Sequence, residues 1–515
     1  MIDILFGQSY YLRFDPKLWE AMQPYPPLGT MYAASFMRAR GYQVGLFDAM
    51  LAESEQAWEQ QLAAARPRYA VIYEDNFNYL SKMCLLRMRE AAFTMIAMAR
   101  THGCTVIVCG SDATDHAEDY LTAGADYVLI GEGELTLAEL IETVDRQESP
   151  AGILGLAWRD GDQQRRTARR PDIKDVDALP FPAWDLIDVP AYRSIWMQRH
   201  GYYSMNMVTT RGCPFHCNWC AKPIWGQRYN SRSPEHVVAE LKWLKETYQP
   251  DHIWFADDIV GLKPGWMRKF GALVAEAGVR TPFKCLSRAD LLCRPGDVEG
   301  LAQAGCQIVW MGAESGAQSV LDAMEKGTKV EQIYQAAGDL HRAGVKVGFF
   351  LQFGYPGETR ADIERTLQMV RDCQPDDIGM SVSYPLPGTR FFERVRSELG
   401  SQQNWYDSND LAMLYNGPFP TAFYRQLHVV LHREFRSTKA LRALSRGAAL
   451  PRWPRLIAVA AKNLLLLPFE RAKLAKLERL PHVGMGPLPL ALSHEAAATP
   501  TPQSAQPVQS AQSEG

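Results

Sequence analysis

The sequence predicts an α/β protein with two parallel-sheet domains followed by a helical C-terminal region. At 515 residues the chain is too long for one hydrophobic core, so two or three domains are expected. Short apolar strands alternate with helical stretches five times in residues 1–145 and six times in residues 203–395. Such alternation is typical of parallel sheets that are covered by helices.

The first of these domains is predicted to span residues 1–145 and to be a doubly wound, Rossmann-like sheet. Its strands are expected at Ile2–Phe6, Gln43–Phe47, Tyr69–Tyr73, Thr105–Val108 and Tyr127–Ile130. Its helices are expected at Thr30–Arg40, Glu55–Ala65, Leu85–Thr101, His116–Ala123 and Glu134–Val144. Ligands of such sheets bind at the carboxyl ends of the strands. No G-x-G-x-x-G follows the first strand, which argues against a nicotinamide cofactor.

A connector is predicted for residues 146–200. It contains a small hairpin, in which Ile153–Trp158 and Gln163–Ala168 flank a tight turn at Asp160-Gly161. The proline-rich remainder of the connector is expected to be extended.

The second domain is predicted to span residues 201–395 and to form a partial TIM-like (β/α)6 barrel. Its strands are expected at 205–210, 252–257, 282–287, 307–312, 346–353 and 378–384. Its helices are expected at 234–247, 265–277, 297–304, 317–323 with 330–343, and 360–373. Chemistry in such barrels takes place at the carboxyl ends of the strands.

Residues 396–482 are predicted to be helical and basic, with 13 Lys and Arg against three Glu between Arg425 and Arg479. The apolar segment Leu456–Phe469 is too short to span a bilayer. Two interpretations are open: a helical cap on the barrel, or a peripheral membrane contact of a protein that acts on a lipid or isoprenoid. Residues 483–515 are rich in Ala, Thr, Pro, Gln and Ser and are predicted to be disordered.

The composition of the chain limits which binding partners and which cellular compartment we expect. The net charge of −3 predicts no general affinity for nucleic acid. The N-terminus carries Asp3 and no basic region, so we expect no signal peptide and a cytoplasmic, reducing location. Under the membrane interpretation, that location includes the inner face of the membrane.

The most informative motif is Arg211-Gly-Cys-Pro-Phe-His-Cys-Asn-Trp-Cys220, which follows the first barrel strand. Cys213, Cys217 and Cys220 have C-x3-C-x2-C spacing. Three thiolates can hold a cubane iron–sulfur cluster and leave its fourth iron open for another ligand. A zinc knuckle completed by His216 is an alternative, although this spacing is unusual for zinc. Unpaired core cysteines would lie on apolar strand positions rather than on a loop.

This motif resembles that of the radical S-adenosylmethionine (radical SAM) enzymes. The resemblance implies a [4Fe–4S] cluster whose open iron binds SAM, and reductive cleavage of SAM with electrons from a donor such as flavodoxin or ferredoxin. It also implies that the SAM-contacting residues are Trp219, Asp257, Asp258, Glu314 and Ser315. The simpler alternatives are a core tryptophan at position 219 and helix-capping carboxylates at 257 and 258.

The N-terminal domain resembles the cobalamin-binding domain that precedes many radical SAM modules. The matching segments are Tyr25-Pro-Pro-Leu-Gly29, Asp48, Cys109-Gly-Ser-Asp-Ala-Thr114 and Ala125–Glu134. The residues that the resemblance implies in cobalamin binding are Gly29, Asp48, Ser111, Gly131, Glu132 and Gly133. The chain has no D-x-H-x-x-G motif and no His before His102, so the resemblance implies a cobalamin without histidine ligation.

Together these resemblances imply a cobalamin-dependent radical SAM enzyme that modifies an unactivated carbon of a small molecule, by methyl transfer in the methylating members. A non-methylating reaction remains an alternative, such as the oxidative cyclisation of the anaerobic magnesium-protoporphyrin ester cyclases. Two further alternatives are an N-terminal domain that has lost cobalamin and a non-catalytic cobalamin sensor or carrier. The two α/β domains are expected to fold on separate cores.

Overall fold

The computed structural model describes residues 2–78, 86–222, 224–399, 411–447 and 449–479. Within these residues the chain has the predicted α/β fold, with two sheets of mostly parallel strands followed by two long helices. The tail predicted for residues 483–515 lies outside the described residues.

The N-terminal sheet has the strand order β2-β1-β3-β4-β5-β6-β7. Its parallel strands are β1 (Ile4–Gly7), β2 (Val44–Leu46), β3 (Tyr69–Tyr73), β4 (Thr105–Cys109) and β5 (Tyr127–Leu129). Its helices are α1 (Pro16–Ala21), α2 (Leu28–Arg38), α3 (Gln56–Ala65), α4 (Leu86–Thr101), α5 (Ser111–Asp115), α6 (Ala117–Thr122) and α7 (Glu134–Asp145). The strand order reverses direction between β1 and β3, which is where open sheets of this kind bind ligands.

The predicted hairpin forms and belongs to this sheet. Strand β6 (Leu156–Asp160) pairs antiparallel with β5, and β7 (Gln163–Arg166) pairs antiparallel with β6. The segment predicted as a connector therefore begins by extending the N-terminal sheet. It continues into α8 (Val189–His200), which starts at Asp188, whose carboxylate accepts a hydrogen bond from the Ala191 amide.

The second sheet has six parallel strands in the order β15-β14-β13-β12-β11-β8. They are β8 (Ser204–Met207), β11 (His252–Phe255), β12 (Phe283–Ser287), β13 (Cys306–Glu314), β14 (Lys346–Phe353) and β15 (Asp377–Val382). Between β8 and β11, a short ribbon is formed by β9 (Thr210–Arg211) and β10 (Asn230–Ser231).

Helices follow these strands, six of them as the sequence predicts and two short ones, at 289–292 and 390–395, in addition. They are α9 (Pro234–Tyr248), α10 (Trp266–Glu276), α11 (Ala289–Leu292), α12 (Asp297–Ala304), α13 (Gln318–Ala323), α14 (Val330–Arg342), α15 (Arg360–Cys373) and α16 (Arg390–Val395). Helix α9 starts where expected, because the Ser233 hydroxyl accepts a hydrogen bond from the His236 amide and Pro234 occupies the first turn.

The C-terminal helices α17 (Thr421–Ser445) and α18 (Trp453–Leu477) pack against each other, and α17 also packs against α15. No helix within the described residues is both long and apolar enough to cross a membrane.

One hydrophobic cluster runs from a face of the N-terminal sheet through the second sheet to α17. It includes Phe6 and Leu28 at one end and Phe353 and Leu427 at the other. A second cluster, which includes Trp58 and Ile72, is confined to the opposite face of the N-terminal sheet. The expectation of separate cores is therefore wrong for one face of the first sheet, because that face is buried by the second domain.

Candidate active site between the two sheets

The three cysteines of the motif lie on the loop that follows the first strand of the second sheet. Cys217 is buried and Cys213 and Cys220 are half-buried, and all three are free thiols. Gly212 has a φ of +79°, and a Cβ there would lie 2.5 Å from the Arg228 carbonyl oxygen, so only glycine fits. The ribbon of β9 and β10 thus anchors the cysteine loop at its base.

Cationic side chains surround this loop. The Arg288 Nη1 atom lies 3.9 Å from the Cys217 Sγ atom, and the guanidinium lies 3.5 Å from the centre of the Phe215 ring. Arg288 is held by hydrogen bonds to the Lys326 carbonyl and the Thr328 hydroxyl. A buried cation therefore faces a thiol at the carboxyl end of β12.

Burial raises the pKa of Cys220 to about 12 and also raises the pKa of Cys213. The Lys222 ammonium opposes both shifts. No group of three His, Cys, Asp or Glu side chains in the described part of the chain is arranged to hold a metal ion. Three thiols beside a cation are nevertheless the donor set that an anionic iron–sulfur cluster requires, and binding would release their protons.

The two predicted carboxylates after β11 point to different sides. Asp257 is buried and its Oδ1 atom accepts hydrogen bonds from the Thr209 amide and from the hydroxyls of Thr209 and Thr210. Its Oδ2 atom is buried without a hydrogen-bond partner among the described residues, and burial raises the pKa of Asp257 to about 7. Asp258 is exposed and its charge acts on Cys213 and Cys220. Only Asp258 faces the cysteine loop.

The predicted polar pair after β13 is also divided. Glu314 has a φ of +57° and pairs with the buried ammonium of Lys326 at 2.8 Å. At Gly312 a Cβ would lie 2.6 Å from both ends of this ion pair, so the glycine makes room for it. Ser315 is fully buried, and its hydroxyl lies 3.1 Å from the Thr366 hydroxyl. Ser315 thus links the strand to α15.

Trp219 is half-buried and packs against the core. Its indole Nε1 atom is buried and has no hydrogen-bond partner among the described residues. A buried indole N–H usually has a partner, so this one is available to a ligand or to ordered water.

At the carboxyl edge of the N-terminal sheet, several predicted residues are bonded to protein. The Gly29 amide donates to the Asp75 carboxylate at 2.9 Å, and the Asp48 carboxylate accepts from the Tyr192 hydroxyl at 2.7 Å. The Ser111 hydroxyl lies 3.3 Å from Asn76 Oδ1.

Packing alone accounts for two of the predicted glycines. Gly131 has a φ of +82°, and its amide donates to the Thr114 hydroxyl. At Gly133 a Cβ would lie 2.5 Å from the Cys109 Sγ atom. Both positions therefore require glycine whether or not a cofactor is bound.

Glu132 connects the carboxyl edge of the N-terminal sheet to the cysteine loop. Its carboxylate and that of Glu134 pair with the guanidinium of Arg211, the first residue of the cysteine motif. Glu132 also accepts hydrogen bonds from the Trp225 indole and the Ile173 amide. Arg211 and both acids are buried, so this ion pair fixes the cysteine loop against the N-terminal sheet.

Residues 207–370, which include the cysteine loop and most of the second sheet, match the sequence profile of the Radical SAM superfamily. The second sheet is the core of a radical SAM domain. The family predicted from the cysteine spacing is thereby confirmed.

Two relatives are similar to this chain in sequence. An uncharacterised methyltransferase of Pyrococcus horikoshii is 29% identical over 283 residues, which are 54% of this chain and 60% of the relative. The hopanoid C-3 methylase of Methylococcus capsulatus is 25% identical over 407 residues, 78% of this chain and 75% of the relative. The chain thus spans less than two thirds of the length of the archaeal relative.

Two solved structures have the same fold. The cobalamin-dependent SAM radical enzyme OxsB with aqua-cobalamin bound has a TM-score of 0.72 at 16% identity. The match covers 91% of this chain and 72% of the OxsB chain. The radical SAM methyltransferase TsrM from Kitasatospora setae, with cobalamin and a [4Fe–4S] cluster bound, has a TM-score of 0.63 at 17% identity. That match covers 78% of this chain and 76% of TsrM.

Sequence reasoning missed the charged residues that hold the radical SAM domain against the N-terminal sheet. Arg211 lies inside the motif, yet its partners are 77 and 79 positions away. Also missed were Arg288 and Lys326, which pair with Asp290 and Glu314 inside the radical SAM domain and carry no motif of their own. A cation that directly precedes three cysteines was the one available signal.

Proposed function

We propose that this chain is a cobalamin-dependent radical SAM enzyme that modifies an unactivated carbon of a small molecule, most simply by methyl transfer. The observation that carries the proposal is the buried ion pair of Arg211 with Glu132 and Glu134. Because of this pair, the cysteine loop and the carboxyl edge of a cobalamin-type sheet border the same space. Groups bound at the two places would act on one substrate.

Three sets of residues would hold the cofactors. Cys213, Cys217 and Cys220 would bind the [4Fe–4S] cluster, with the six-stranded sheet forming a partial TIM-like barrel around it. The SAM contacts proposed are Trp219, Asp258 and Glu314, while Asp257 and Ser315 support the strands that carry them. The cobalamin contacts proposed are Ser111 and the backbones of Gly29, Gly131 and Gly133, with Asp48 and Glu132 shaping the edge.

When bound, the cluster and SAM supply hydrogen-atom abstraction and cobalamin supplies the methyl group. The chain's own residues position and shield these groups. Arg288, which also pairs with Asp290, would donate a hydrogen bond to a thiolate at Cys217, and burial of the Arg288 side chain excludes water. Asn76 and Ser111 offer amide and hydroxyl groups that suit the amide side chains around a corrin ring.

The test uses the full-length protein, reconstituted anaerobically with iron, sulfide and cobalamin and supplied with a reductant, deuteriomethyl-SAM and an isoprenoid lipid extract as the source of methyl acceptors. We expect deoxyadenosine, and a product three mass units heavier per deuteriomethyl group than with unlabelled SAM. Replacing Cys213, Cys217 and Cys220 together by Ala should abolish deoxyadenosine formation, because no donors for the cluster remain.

The matched control is Cys293→Ala, which removes a half-buried thiol outside the loop and should leave SAM cleavage unchanged. Deoxyadenosine from the triple variant would refute the cluster assignment. Deoxyadenosine from the wild type with no label in any product would favour a non-methylating reaction such as oxidative cyclisation.

We also propose that α18 lies on an anionic membrane surface while the enzyme acts on a lipid or isoprenoid. Ile457, Leu464, Leu465 and Phe469 are exposed along it, the last two by 71% and 74%. At 100° per residue these positions lie on one side of the helix. A lipid-modifying relative, the hopanoid C-3 methylase, supports this choice of substrate class.

Basic side chains flank this apolar surface. Arg455 and Lys462 are exposed, whereas Arg471 pairs with Glu434 of α17 and Leu467 packs towards the core. An exposed apolar strip beside basic residues is the pattern of an interfacial helix.

Vesicle binding tests this contact. The protein should sediment with vesicles that contain phosphatidylserine and be released by salt, because the attraction is screened. Leu465→Ser combined with Phe469→Ser should abolish sedimentation, whereas Leu154→Ser combined with Met197→Ser, at exposed apolar positions on the N-terminal side, should not. Equal binding by both double variants would leave α18 as a helical cap.

A further inference from the structure

The face of the six-stranded sheet opposite its helices carries an unpaired cation. Phe255 and Phe283 pack edge to face against Phe270 of α10, so they point towards the helices. The adjacent positions, Trp254 and Lys284, therefore point to the other side, called here the inner face.

Lys284 has no ion pair or hydrogen bond among the described residues. Its ammonium lies 5.1 Å from the centre of the Trp254 ring and 5.4 Å from that of Tyr25, which enters from the N-terminal domain. The nearby His252, whose Nδ1 atom lies 2.9 Å from the Ser204 hydroxyl, cannot serve as an anionic partner because an imidazole is either neutral or cationic. Two aromatic rings alone compensate poorly for the lost hydration of an ammonium.

Desolvation lowers the pKa of Lys284 to about 8, so the side chain is still largely protonated at neutral pH. The buried cations Lys326 and Arg232 of this domain pair with Glu314 and Glu240, whereas the half-buried Lys284 has no acidic partner among the described residues. The contrast indicates that the anion for Lys284 is supplied from outside the described residues.

The same inner face carries an aromatic surface. The rings of Trp310 and Phe350 stack at 4.7 Å between centroids, and Phe350 is 39% exposed. At Gly348 a Cβ would lie 2.5 Å from the Trp310 ring, so this glycine lets the indole lie flat on the sheet. Trp310 pairs with Leu286 in the sheet, and Leu286 lies two residues beyond Lys284 on the same strand. The Cα atoms of Trp310 and Lys284 are therefore roughly 8 Å apart.

We propose that Lys284 binds an acidic group of the substrate, a carboxylate or a phosphate, while Trp310 and Phe350 contact the substrate's apolar body. This inference rests on the proposed function, which makes the inner face the substrate chamber. Arg288, beside Cys217, lies four residues beyond Lys284, or roughly 13 Å along an extended chain. The substrate is thus an amphiphile whose acidic group is on the order of 10 Å from its reacting carbon.

The test measures binding to the reconstituted full-length protein by calorimetry. The probes are 2-naphthoate, 2-naphthyl phosphate and the neutral 2-naphthamide. Wild-type protein should bind at least one acid about tenfold more tightly than the amide, a difference of about 1.4 kcal/mol. Lys284→Met and Lys284→Gln should bind that acid no more tightly than the amide, and Lys284→Arg should keep part of the preference.

Two controls separate charge from packing. Lys346→Met removes an exposed lysine at the start of β14 and should keep the full preference. Trp310→Ala should weaken all three probes by similar factors, because it removes apolar contact rather than charge.

The inference is overturned if wild-type protein binds acid and amide equally, binds neither acid at millimolar concentration, or if both neutral variants at Lys284 keep the preference. SAM cleavage without substrate is measured on the same samples. Its absence from wild-type protein would refute the proposed function, whereas intact cleavage with no acid preference would refute this inference alone.

Discussion

The carboxyl edges of the two parallel sheets differ in the charge that they bury. The N-terminal edge is acidic, with Asp48, Glu74, Asp75, Glu132 and Glu134 all bonded to protein groups. The edge of the radical SAM domain also buries Asp257 and Glu314, but it combines them with three thiols and with cations, of which one lies 3.9 Å from Cys217.

This difference agrees with the cofactors proposed for the two edges. An anionic cluster needs positive neighbours, whereas a cofactor that carries a cationic metal is compatible with buried acids. One cation connects the two edges: Arg211 belongs to the edge of the radical SAM domain and is neutralised by the acids of the N-terminal edge. The charge difference between the two edges is therefore also what joins them.

The largest loss of stability is expected when the ion pair of Arg211 with Glu132 and Glu134 is removed. Arg211→Met leaves Glu132 and Glu134 buried without a counter-charge, which should lower the free energy of unfolding by about 3–5 kcal/mol. Urea denaturation of the cofactor-free protein measures it. The control Arg228→Met removes a 56% exposed arginine that pairs with Asp172, and should cost less than about 1 kcal/mol.

Adding Glu132→Gln and Glu134→Gln to Arg211→Met should recover part of the loss, since the unpaired charges are gone. If Arg211→Met costs no more than Arg228→Met, the two edges are not joined by charge.

A smaller loss of stability is expected when the pH is raised. Burial raises the pKa of Glu74 from 4.5 to about 7, although Ser9 donates to its carboxylate. Between these pH values the folded state retains a proton that the unfolded state has lost, so stability falls as pH rises, by up to about 3 kcal/mol. Asp48 and Asp75, with pKa values raised to about 6, act in the same direction.

Glu74→Gln should therefore flatten the dependence of the denaturation midpoint on pH between 5 and 8. Glu90→Gln, at an exposed position on α4, should leave the dependence as in the wild type. An unchanged slope in Glu74→Gln would mean that Glu74 is ionised in the folded state throughout this range.

The smallest loss of stability is expected when one hydrogen bond is removed at each edge. Tyr192→Phe removes the only side-chain donor to Asp48 among the described residues, and should cost about 1–2 kcal/mol. Thr210→Val removes one of three donors to Asp257 and should cost about 1 kcal/mol or less. Thermal denaturation at one pH ranks the two variants, and the reverse order would show that Asp257 depends on Thr210 alone.

Most of the fold could be predicted from the sequence because its signals are local. Strand β3 and helices α12 and α15 have the predicted bounds, since apolar runs and capping residues act within a few positions. The pairing of the hairpin with β5 could not be predicted, because no local signal names the neighbour of a strand.

The candidate site divides in the same way. The three cysteines were predictable because one short loop contains them all. The separate roles of Glu314 and Ser315 were not, because they depend on Lys326 and on Thr366 of α15. Likewise, the bond between Tyr192 and Asp48 joins residues 144 positions apart, and neither has a distinctive sequence context.

The shared hydrophobic cluster and the Arg211 ion pair limit how this enzyme can be recombined with its relatives. An N-terminal domain grafted from another member would have to bring side chains equivalent to Tyr25, Glu132 and Glu134. The radical SAM domain that receives this graft would have to keep Arg211 and Trp225, which bind Glu132 and Glu134. Chimeras cut at the sequence connector would separate these partners, so productive crossover points have to be chosen by contact rather than by domain boundary.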